Sequence, residues 1–309
     1  AGVVHITGNS GGRVTIVAPD ESTLTYDGNP KEATLEGALT TGVTLTAKDI
    51  KYYHKIGEQE YLLETGAKPT NAKSYRAEIT VDGKTATVTY EIKKATPQAS
   101  DFTFTAPGNL TYDGNPKTAT VTFTKIDADH IKVKYYQGET VVERPTEAGT
   151  YTVKIDVEES GNYNAASDLT NGWTFEIAKN TNTPVVTLSE DYSLTYNKSQ
   201  LTPPVTVTVD GKTLTKGTDY EVTYAENLNA GTNTGVVYIE AKGNYGFEKV
   251  NKNFNIAKKS ITVTADNKSS RVGQTLKTLT YTHTEGLPYA GDTFSGALAT
   301  DANENAAGT

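Results

Sequence analysis

The sequence predicts an all-β protein whose antiparallel strands form tandem two-sheet sandwiches. Apolar or β-branched residues alternate with polar ones in short stretches such as ATVTYEI and TYTVKIDV, which is the period of a strand with one buried face. Gly, Pro, Asn and Asp separate these stretches, and no longer segment has the 3.6-residue period of a helix. Internal repetition indicates several copies of one small unit.

The composition indicates units with thin cores and much polar surface. The chain has 309 residues, which is more than one average domain of about 150 residues. Hydrophobic residues make up 36% of the chain and the mean hydropathy is -0.50, so each unit must be small. The 19 tyrosines favour strands over helices.

Missing residue types exclude several classes of function. There is no cysteine, so disulfides, thiolate metal sites and cysteine nucleophiles are excluded. Methionine is absent even at position 1, which predicts a fragment of a longer precursor. No apolar run approaches the ~20 residues of a transmembrane helix, so we expect no membrane span in this fragment. The net charge of -8 argues against binding to nucleic acid or anionic lipid.

The strongest signal in the sequence is a repeated octapeptide. LTYDGNPK occupies residues 24–31 and again 110–117, and a decayed copy, LTYNKSQL, begins at Leu194. Three further motifs recur in the same order, at spacings that mark tandem units of about 80 residues. They are IKYY at Ile50 and VKYY at Val133, AGTYTVKI at Ala148 and AGTNTGVVYI at Ala230, and GNYN at Gly161 and GNYG at Gly243.

The motif spacing divides the chain into a short tail and four segments. Segments 1 to 3 are expected to be complete sandwiches, and segment 4, which ends in AAGT, is expected to be partial. The short linkers KKATPQ and AKNTNTP carry Pro and favour end-to-end stacking into an elongated, semi-rigid array. The predicted boundaries are 1–12 for the tail, 13–95 for segment 1, 96–179 for segment 2, 180–258 for segment 3 and 259–309 for segment 4.

The motifs resemble those of a known family. Units with TYDGNPK, a central KYY strand, AGTYTV and GNY are similar to the MBG or YDG-type bacterial immunoglobulin-like repeats of secreted and wall-anchored proteins. Segment 3 is similar to related repeats in surface proteins of gut Firmicutes. The resemblance covers nearly the whole chain after Arg13. It implies an immunoglobulin-like fold on a Gram-positive cell surface or cell wall, and it carries over no catalytic residue.

The octapeptide is interpreted as a turn. Its Asp-Gly pair predicts a two-residue hairpin corner, because Gly accepts a positive φ and Asp tolerates it. Leu24 and Tyr26 should share one strand face, with the tyrosine half-buried. The alternative is a calcium or sugar site at Asp27 and Asp113, but one carboxylate per turn is too few for a cation that takes about six to eight oxygen ligands.

Two tyrosines are the candidate ligand-binding residues, Tyr53 and Tyr136. Strand alternation places Tyr52 inside and Tyr53 outside in segment 1. In segment 2 it places Tyr135 inside and Tyr136 outside. An outward tyrosine beside lysine could stack on a sugar or a partner protein. Cross-strand packing is the alternative, and Trp173 is likewise interpreted as a core or edge filler.

The sequence contains no catalytic or metal-binding pattern. The four histidines are scattered, and no zinc-protease, phosphate-loop or serine-hydrolase motif occurs. We therefore expect no enzyme activity, no cofactor and no metal. A Lys-Asn or Lys-Asp isopeptide cross-link, which some sandwich domains of Gram-positive surfaces carry, stays open.

The expected function is a non-enzymatic extracellular stalk or spacer that acts as a monomeric rod. One alternative is an adhesin that binds a host glycan or matrix protein, and another is a spacer appended to a secreted hydrolase. A stalk needs only folded units, whereas a multivalent binder repeats its exposed side chains. The outward tyrosine recurs in segments 1 and 2, but Tyr224 of segment 3 lies in a strand with a different sequence. This difference favours the stalk.

Overall fold

The chain folds into antiparallel β-sheets. The computed structural model describes residues 5–7, 13–38 and 45–305. Within these ranges the helical elements are four 3-10 turns of three residues each, and none reaches the length and apolarity that a bilayer-spanning helix requires. The prediction of an all-β protein is confirmed. The turns are Glu21–Thr23, Ala47–Asp49, Ala99–Asp101 and Ala128–His130.

The backbone divides into two compact units, Ala1–Ile177 and Ala178–Thr309. Unit 1 contains segment 1 and nearly all of segment 2, and unit 2 begins just before segment 3. In segments 1 to 3 the opening strand pairs with the strand that follows the octapeptide position, and later strands form a second sheet. The same strand plan therefore recurs in three successive segments.

Segment 1 has a three-stranded and a four-stranded sheet. Its strands are β1 His5–Thr7, β2 Arg13–Val17, β3 Thr34–Ala38, β4 Lys51–Ile56, β5 Gln59–Leu62, β6 Ser74–Val81 and β7 Lys84–Glu91. The strand orders are β1-β2-β3 and β5-β4-β6-β7. β1 lies within the predicted tail, yet it pairs with β2, with His5 opposite Thr15. The rest of the tail lies outside the described residues.

Segment 2 repeats this plan with a small and a large sheet. Its strands are β8 Thr103–Thr105, β9 Thr120–Thr122, β10 Ile131–Gln137, β11 Thr140–Val142, β12 Gly149–Val157, β13 Ala166–Leu169 and β14 Thr174–Ile177. β8 pairs with β9, and the large sheet has the order β11-β10-β12-β13. β14 pairs with the first half of β12, where Gly149 lies opposite Ile177.

Segment 3 has two three-stranded sheets. Its strands are β15 Val185–Leu188, β16 Val205–Val209, β17 Lys212–Thr213, β18 Tyr220–Tyr224, β19 Gly231–Ala241 and β20 Val250–Ile256. The strand orders are β15-β16-β17 and β18-β19-β20. The register of β19 against β20 shifts between Gly231 and Gly235, so this strand accommodates extra residues relative to β12.

Segment 4 is a hairpin with long connections. Its two strands are β21 Val263–Ala265 and β22 Tyr281–His283, which pair with each other. Among its described residues only Leu287 is buried, whereas Val272 is 60% exposed. The AAGT motif lies outside the described residues.

Strand alternation places the core where the sequence predicts it. In segment 1, side chains from both sheets form one cluster, with Ile16 of β2 and Ile79 of β6 each 1% exposed. Full burial of a side chain of this size contributes about 1.5 to 3 kcal/mol. In β12 the alternate residues Tyr151, Val153, Ile155 and Val157 are buried. Trp173 is also buried and stacks on Phe104, as its interpretation as a filler requires.

A tyrosine hydroxyl links the two sheets in each of segments 1 to 3. In segments 1 and 2 its oxygen accepts a backbone N–H from the residue before β3 or β9. These pairs are Tyr52 with Ala33 at 3.0 Å and Tyr135 with Ala119 at 2.9 Å. In segment 3 the residue with the same offset from the octapeptide copy is Pro203, which lacks an N–H, and Tyr224 instead donates to the Pro203 carbonyl at 2.8 Å. Tyr224 is therefore the counterpart of the inner tyrosines, not of Tyr53.

A cross-strand aromatic stack is present in segments 1 and 2 and is replaced by a glycine facing a ring in segment 3. In segments 1 and 2 two rings stack across neighbouring strands. These pairs are Tyr75 with Tyr90, with centroids 6.0 Å apart, and Tyr151 with Phe175, at 5.4 Å. In segment 3 Gly235 lies opposite Phe254, and a Cβ at Gly235 would lie 2.2 Å from the ring. The glycine therefore makes room for a ring that elsewhere has an aromatic partner.

Candidate functional site

The two candidate tyrosines lie on the outward faces of the large sheets. Tyr53 is in β4 and Tyr136 is in β10. Their neighbours Tyr52 and Tyr135 are only 5% and 6% exposed, which is the orientation that alternation predicts. Both outward tyrosines are half-buried, because neighbouring side chains cover them.

Tyr53 lies beneath Arg76, which is directly opposite it on the neighbouring strand β6. The guanidinium carbon of Arg76 is 4.0 Å from the centroid of the Tyr53 ring, a contact that contributes about 0.5 to 1 kcal/mol at an exposed site. Arg76 Nε donates to Glu60 at 2.8 Å, and Nη1 donates to Glu78. The Tyr53 hydroxyl donates to Glu78 at 3.4 Å. Two carboxylates thus hold the cation over the ring.

Tyr136 lies in a similar arrangement built from lysines. Lys154 Nζ is 4.9 Å from the ring centroid, and the Tyr136 hydroxyl donates to Asp168 at 3.4 Å. Lys134 binds Asp156 at 2.7 Å and Asp168 at 2.6 Å. Hydrogen bonds to these two carboxylates raise the pKa of Lys134 above its usual value. Lys134 therefore pairs with both carboxylates beside the ring.

A third covered tyrosine, Tyr238, was not among the sequence candidates. Lys249 Nζ is 5.1 Å from its ring centroid and 3.1 Å from the Glu240 carboxylate. Tyr238 lies in β19, which does not correspond to β4, the strand of Tyr53. The sequence could have indicated its outward direction, because its apolar neighbours Val237 and Ile239 point inward and are fully buried.

The covered rings limit the chemistry of these faces. A sugar stacks on an open ring face, but a cation already lies over one face of each ring, and the nearby carboxylates hold cations. Beside Tyr53 lies a cleft of about 520 Å³ whose lining includes Lys55, Glu60, Arg76 and Glu91. These tyrosines act as cross-strand braces in which a ring, a cation and a carboxylate stabilise the outer sheet face.

The octapeptide turn is organised by its aspartate. Asp27 Oδ1 accepts the Asn29 N–H at 2.8 Å, and Oδ2 accepts Lys31 Nζ at 2.7 Å. These two partners lower the pKa of Asp27 to about 2. The second copy has the same contacts, Asp113 to Asn115 at 2.8 Å and Asp113 to Lys117 at 2.7 Å. Both carboxylate oxygens have partners inside the turn, which argues against the alternative calcium or sugar site.

The predicted two-residue hairpin corner is wrong. The residues before the turn do not pair with those after it, since Tyr26 N–H donates to the Lys93 carbonyl at 2.9 Å and Lys31 N–H donates to the Pro69 carbonyl at 2.7 Å. The aspartate side chain replaces the backbone acceptor that a hairpin would use. Gly28 has φ +86°, so the positive φ predicted for the Asp-Gly pair is present, but in a turn that does not connect two paired strands.

The decayed copy in segment 3 keeps the turn with other residues. Asn197 Oδ1 accepts the Ser199 N–H at 2.9 Å, in place of an aspartate oxygen. Lys198 takes the glycine position with φ +66°. A non-glycine residue in this left-handed region is strained by roughly 1 kcal/mol. A turn with this geometry therefore does not need the Asp-Gly pair.

A buried asparagine holds the end of the decayed copy. Asn227 is 3% exposed, and its side chain donates to the carbonyls of Leu201 at 2.9 Å and Val236 at 3.1 Å. Its Oδ1 accepts the Val236 N–H at 2.8 Å. Sequence reasoning missed this clamp, because an isolated Asn in a loop-like stretch carries no signal for long-range contacts.

The octapeptide also contacts the next segment. In unit 1, the rings of Tyr26 in segment 1 and Tyr163 in segment 2 meet edge-on, with centroids 5.4 Å apart and planes at 82°. Tyr163 belongs to the GNYN motif and is 5% exposed. On its other side it meets Phe123, at 5.5 Å. We call this contact joint 1.

Backbone hydrogen bonds reinforce joint 1. Ala95, at the end of segment 1, donates to the Asn162 carbonyl at 3.0 Å and accepts the Asn164 N–H at 2.8 Å. The Asn162 side chain accepts the Ala72 N–H at 2.9 Å. Lys94 binds Glu159. The linker therefore forms a short parallel bridge with the next segment.

Unit 2 contains a second contact of this kind, joint 2. Tyr196 of the decayed copy meets Tyr289 of segment 4, with centroids 5.8 Å apart and planes at 64°. The Tyr196 hydroxyl donates to Asp292 at 2.9 Å, and Lys198 Nζ binds the same carboxylate at 2.7 Å. A cleft of about 180 Å³ remains beside these rings.

Among the described residues, one group of side chains of metal-ligating types lies on a surface turn. Asp127, Asp129 and His130 place their ligand atoms within 4.8 Å of one another. His130 Nδ1 lies 3.1 Å from Asp129 Oδ1. The sequence interpretation treated His130 as isolated, because the 3-10 turn that brings the three together was not predicted. The two aspartates are exposed.

Comparison of the chain with protein-family models, with curated proteins and with solved structures finds no match. Function must therefore be inferred from the chain's own contacts.

Proposed function

We propose that the chain is a non-enzymatic extracellular spacer, an array of immunoglobulin-like sandwiches that holds another module away from a cell surface. The observation that carries this proposal is that the buried contacts of segments 1 to 3 recur while the outward side chains change. The sheet-linking tyrosine is present in all three segments. The outward tyrosine moves from the strand of Tyr53 and Tyr136 to the strand of Tyr238. Such a pattern is expected when each unit must fold and stack.

Two observations support the sandwich and the immunoglobulin-like class. In segment 1, residues of both sheets share one core cluster. Tyr75 and Tyr151 each donate a hydroxyl to the carbonyl four residues earlier, Asn71 at 2.9 Å and Glu147 at 2.8 Å. This is the geometry of the tyrosine corner of immunoglobulin-like sandwiches. In segment 3 the counterpart of these tyrosines is Gly235, and the residue before it, Thr234, donates to the Asn229 carbonyl at 2.8 Å.

The resemblance to MBG or YDG-type repeats supports an extracellular setting on a Gram-positive cell. In that setting the spacer belongs to a wall-anchored protein, or it separates the domains of a secreted hydrolase. Detection of the chain on intact cells that produce it, by antibody labelling with and without added protease, tests the location. Labelling only after cell lysis would contradict it.

The experiment that separates spacer from adhesin is a binding screen of the whole chain on glycan and matrix-protein arrays. The spacer proposal expects no specific binding. Specific binding that is lost in Tyr53→Ala plus Tyr136→Ala, and kept in Tyr61→Ala, would establish the adhesin instead. Tyr61 is a matched control because it is 44% exposed in β5 of the same sheet as Tyr53.

A further inference from the structure

We propose that the octapeptide and its decayed copy form a docking surface for the following segment, whose recognition element is an edge-on tyrosine. This inference rests on the proposed spacer function and assigns the repeated motif a role in it. The motif is thus present in segments 1 and 3 because each of the two joints uses its tyrosine. The partner that fits this surface is another β-segment that presents a tyrosine on a loop.

The two joints support this assignment independently. Tyr26 and Tyr196 occupy the same place in their octapeptides, and each meets a tyrosine of the next segment, Tyr163 or Tyr289. Edge-on aromatic pairs at this distance attract each other beyond the effect of their buried area. The two partner tyrosines come from different motifs, GNYN and LPYAG, so the contact does not depend on one loop sequence.

The turn beneath the tyrosine is adapted to the partner. In joint 1 the turn residue is Gly28, and a Cβ there would lie 3.5 Å from Lys125 Nζ of segment 2. In joint 2 the same position is Lys198, which accepts a left-handed φ and binds Asp292 of segment 4. The replacement of glycine by lysine strains the turn but adds an ion pair to the joint. The decayed copy therefore changes its sequence and keeps its contact.

The remaining contacts explain the difference between the joints. Joint 1 encloses Tyr163 and adds backbone hydrogen bonds from Ala95. At joint 2 the Lys198 and Asp292 side chains are 45% and 32% exposed, so solvent screens their ion pair and weakens it. Joint 2 should therefore lose more of its rigidity than joint 1 when its tyrosine is removed.

Distances between spin labels on the full chain test the proposal. Because the chain has no cysteine, two introduced cysteines are the only labelling sites. Glu58→Cys with Glu139→Cys spans joint 1, and Lys216→Cys with Thr282→Cys spans joint 2. All four positions are exposed. Double electron-electron resonance then reports the width of each distance distribution.

Tyr26→Ala should widen the distance distribution across joint 1. The double variant Tyr196→Ala with Lys198→Gly should widen the distribution across joint 2 about twofold or more. Both expectations follow because neighbouring domains move relative to each other when no interface holds them. Tyr26→Ala should leave joint 2 unchanged. Tyr61→Ala is the control and should change neither distribution. Unchanged widths at both joints in these variants would overturn the docking role.

Folding is controlled separately, because Tyr26 also packs against the core of segment 1. Tyr26→Leu keeps apolar volume and removes the edge-on ring contact, so it should widen joint 1 while the β6 and β7 amides keep their hydrogen-exchange protection. At joint 2, Asp292→Asn tests the carboxylate without altering a core. Specific glycan binding by the whole chain would overturn the spacer function alone. Broad distance distributions at both joints of the unmutated segments, without glycan binding, would overturn only the docking surface.

Discussion

Segments 2 and 3 fill corresponding strand and turn positions with different residues. Segment 2 places an aromatic ring opposite Phe175, whereas segment 3 places Gly235 opposite Phe254. In segment 2 the last residue of the octapeptide, Lys117, donates its N–H to the Pro145 carbonyl. In segment 3 the corresponding residue, Leu201, donates its N–H to the Asn227 carbonyl and accepts a hydrogen bond from the Asn227 side chain. Hydrogen-bonding positions, rather than residue types, are therefore what the repeat preserves.

The largest expected effect follows from removal of the Asn227 clamp of segment 3. Asn227→Ala leaves buried groups of Leu201 and Val236 without their partner and should lower the free energy of unfolding of segment 3 by about 3 kcal/mol. Hydrogen exchange of the β19 amides measures this locally. Asn229→Ala, an exposed neighbour, is the matched control. Equal protection in both variants would show that the clamp does not stabilise the segment.

The glycine opposite Phe254 offers a second test. Gly235→Ala brings a Cβ to 2.2 Å from the Phe254 ring and should destabilise segment 3 by about 2 kcal/mol through overpacking. Phe254→Leu in the same chain should restore part of that loss. Gly108→Ala is the control, since its Cβ would meet nothing within 4 Å. A neutral Gly235→Ala would mean that the ring moves freely.

The sheet-linking tyrosines of segments 2 and 3 differ in the direction of one hydrogen bond, and this difference can be tested. Tyr135→Phe removes the acceptor of the Ala119 N–H, whereas Tyr224→Phe removes only the donor to the Pro203 carbonyl. An orphaned buried N–H is the costlier loss, so Tyr135→Phe should destabilise its segment by about 1 kcal/mol more than Tyr224→Phe. Denaturant-dependent hydrogen exchange in segments 2 and 3 compares them. The reverse order would contradict this account.

Acidification should produce the smallest difference. The pKa of Asp27 is lowered to about 2 by Lys31 and the Asn29 amide, so its contribution is fully present above the unfolded value near 4 and is lost as pH falls through 2. The Asp27 side chain is 48% exposed, which keeps the effect below about 1 kcal/mol. Asn197 does not titrate, so the Ser199 N–H keeps its acceptor at low pH, and the acid-dependent change in this turn is confined to the Asp292 carboxylate, whose pKa is lowered by Lys198 and Tyr196. An NMR titration of Asn29 and Ser199 amides, with Asp27→Asn as control, measures both.

The candidate site was less predictable than the fold. Alternation correctly placed Tyr52 inside and Tyr53 outside, because side-chain direction in a strand depends only on its period. It did not reveal Arg76 above the Tyr53 ring, since that contact depends on the register between β4 and β6. The hairpin corner was wrongly predicted at Asp27 because turn propensities do not include a side-chain acceptor or a distant carbonyl such as that of Pro69.

The sequence by itself determined the all-β class and the repetition, because strand period and motif spacing are local properties of the chain. It also determined the outward direction of Tyr53 and Tyr136. Only the tertiary structure decided that the octapeptide meets the next segment through Tyr26 and Tyr196, because those partners are brought together by strand pairing across long stretches of chain. It also decided that Lys198 could replace a glycine, since the compensating carboxylate of Asp292 lies far away in sequence and adjacent in space.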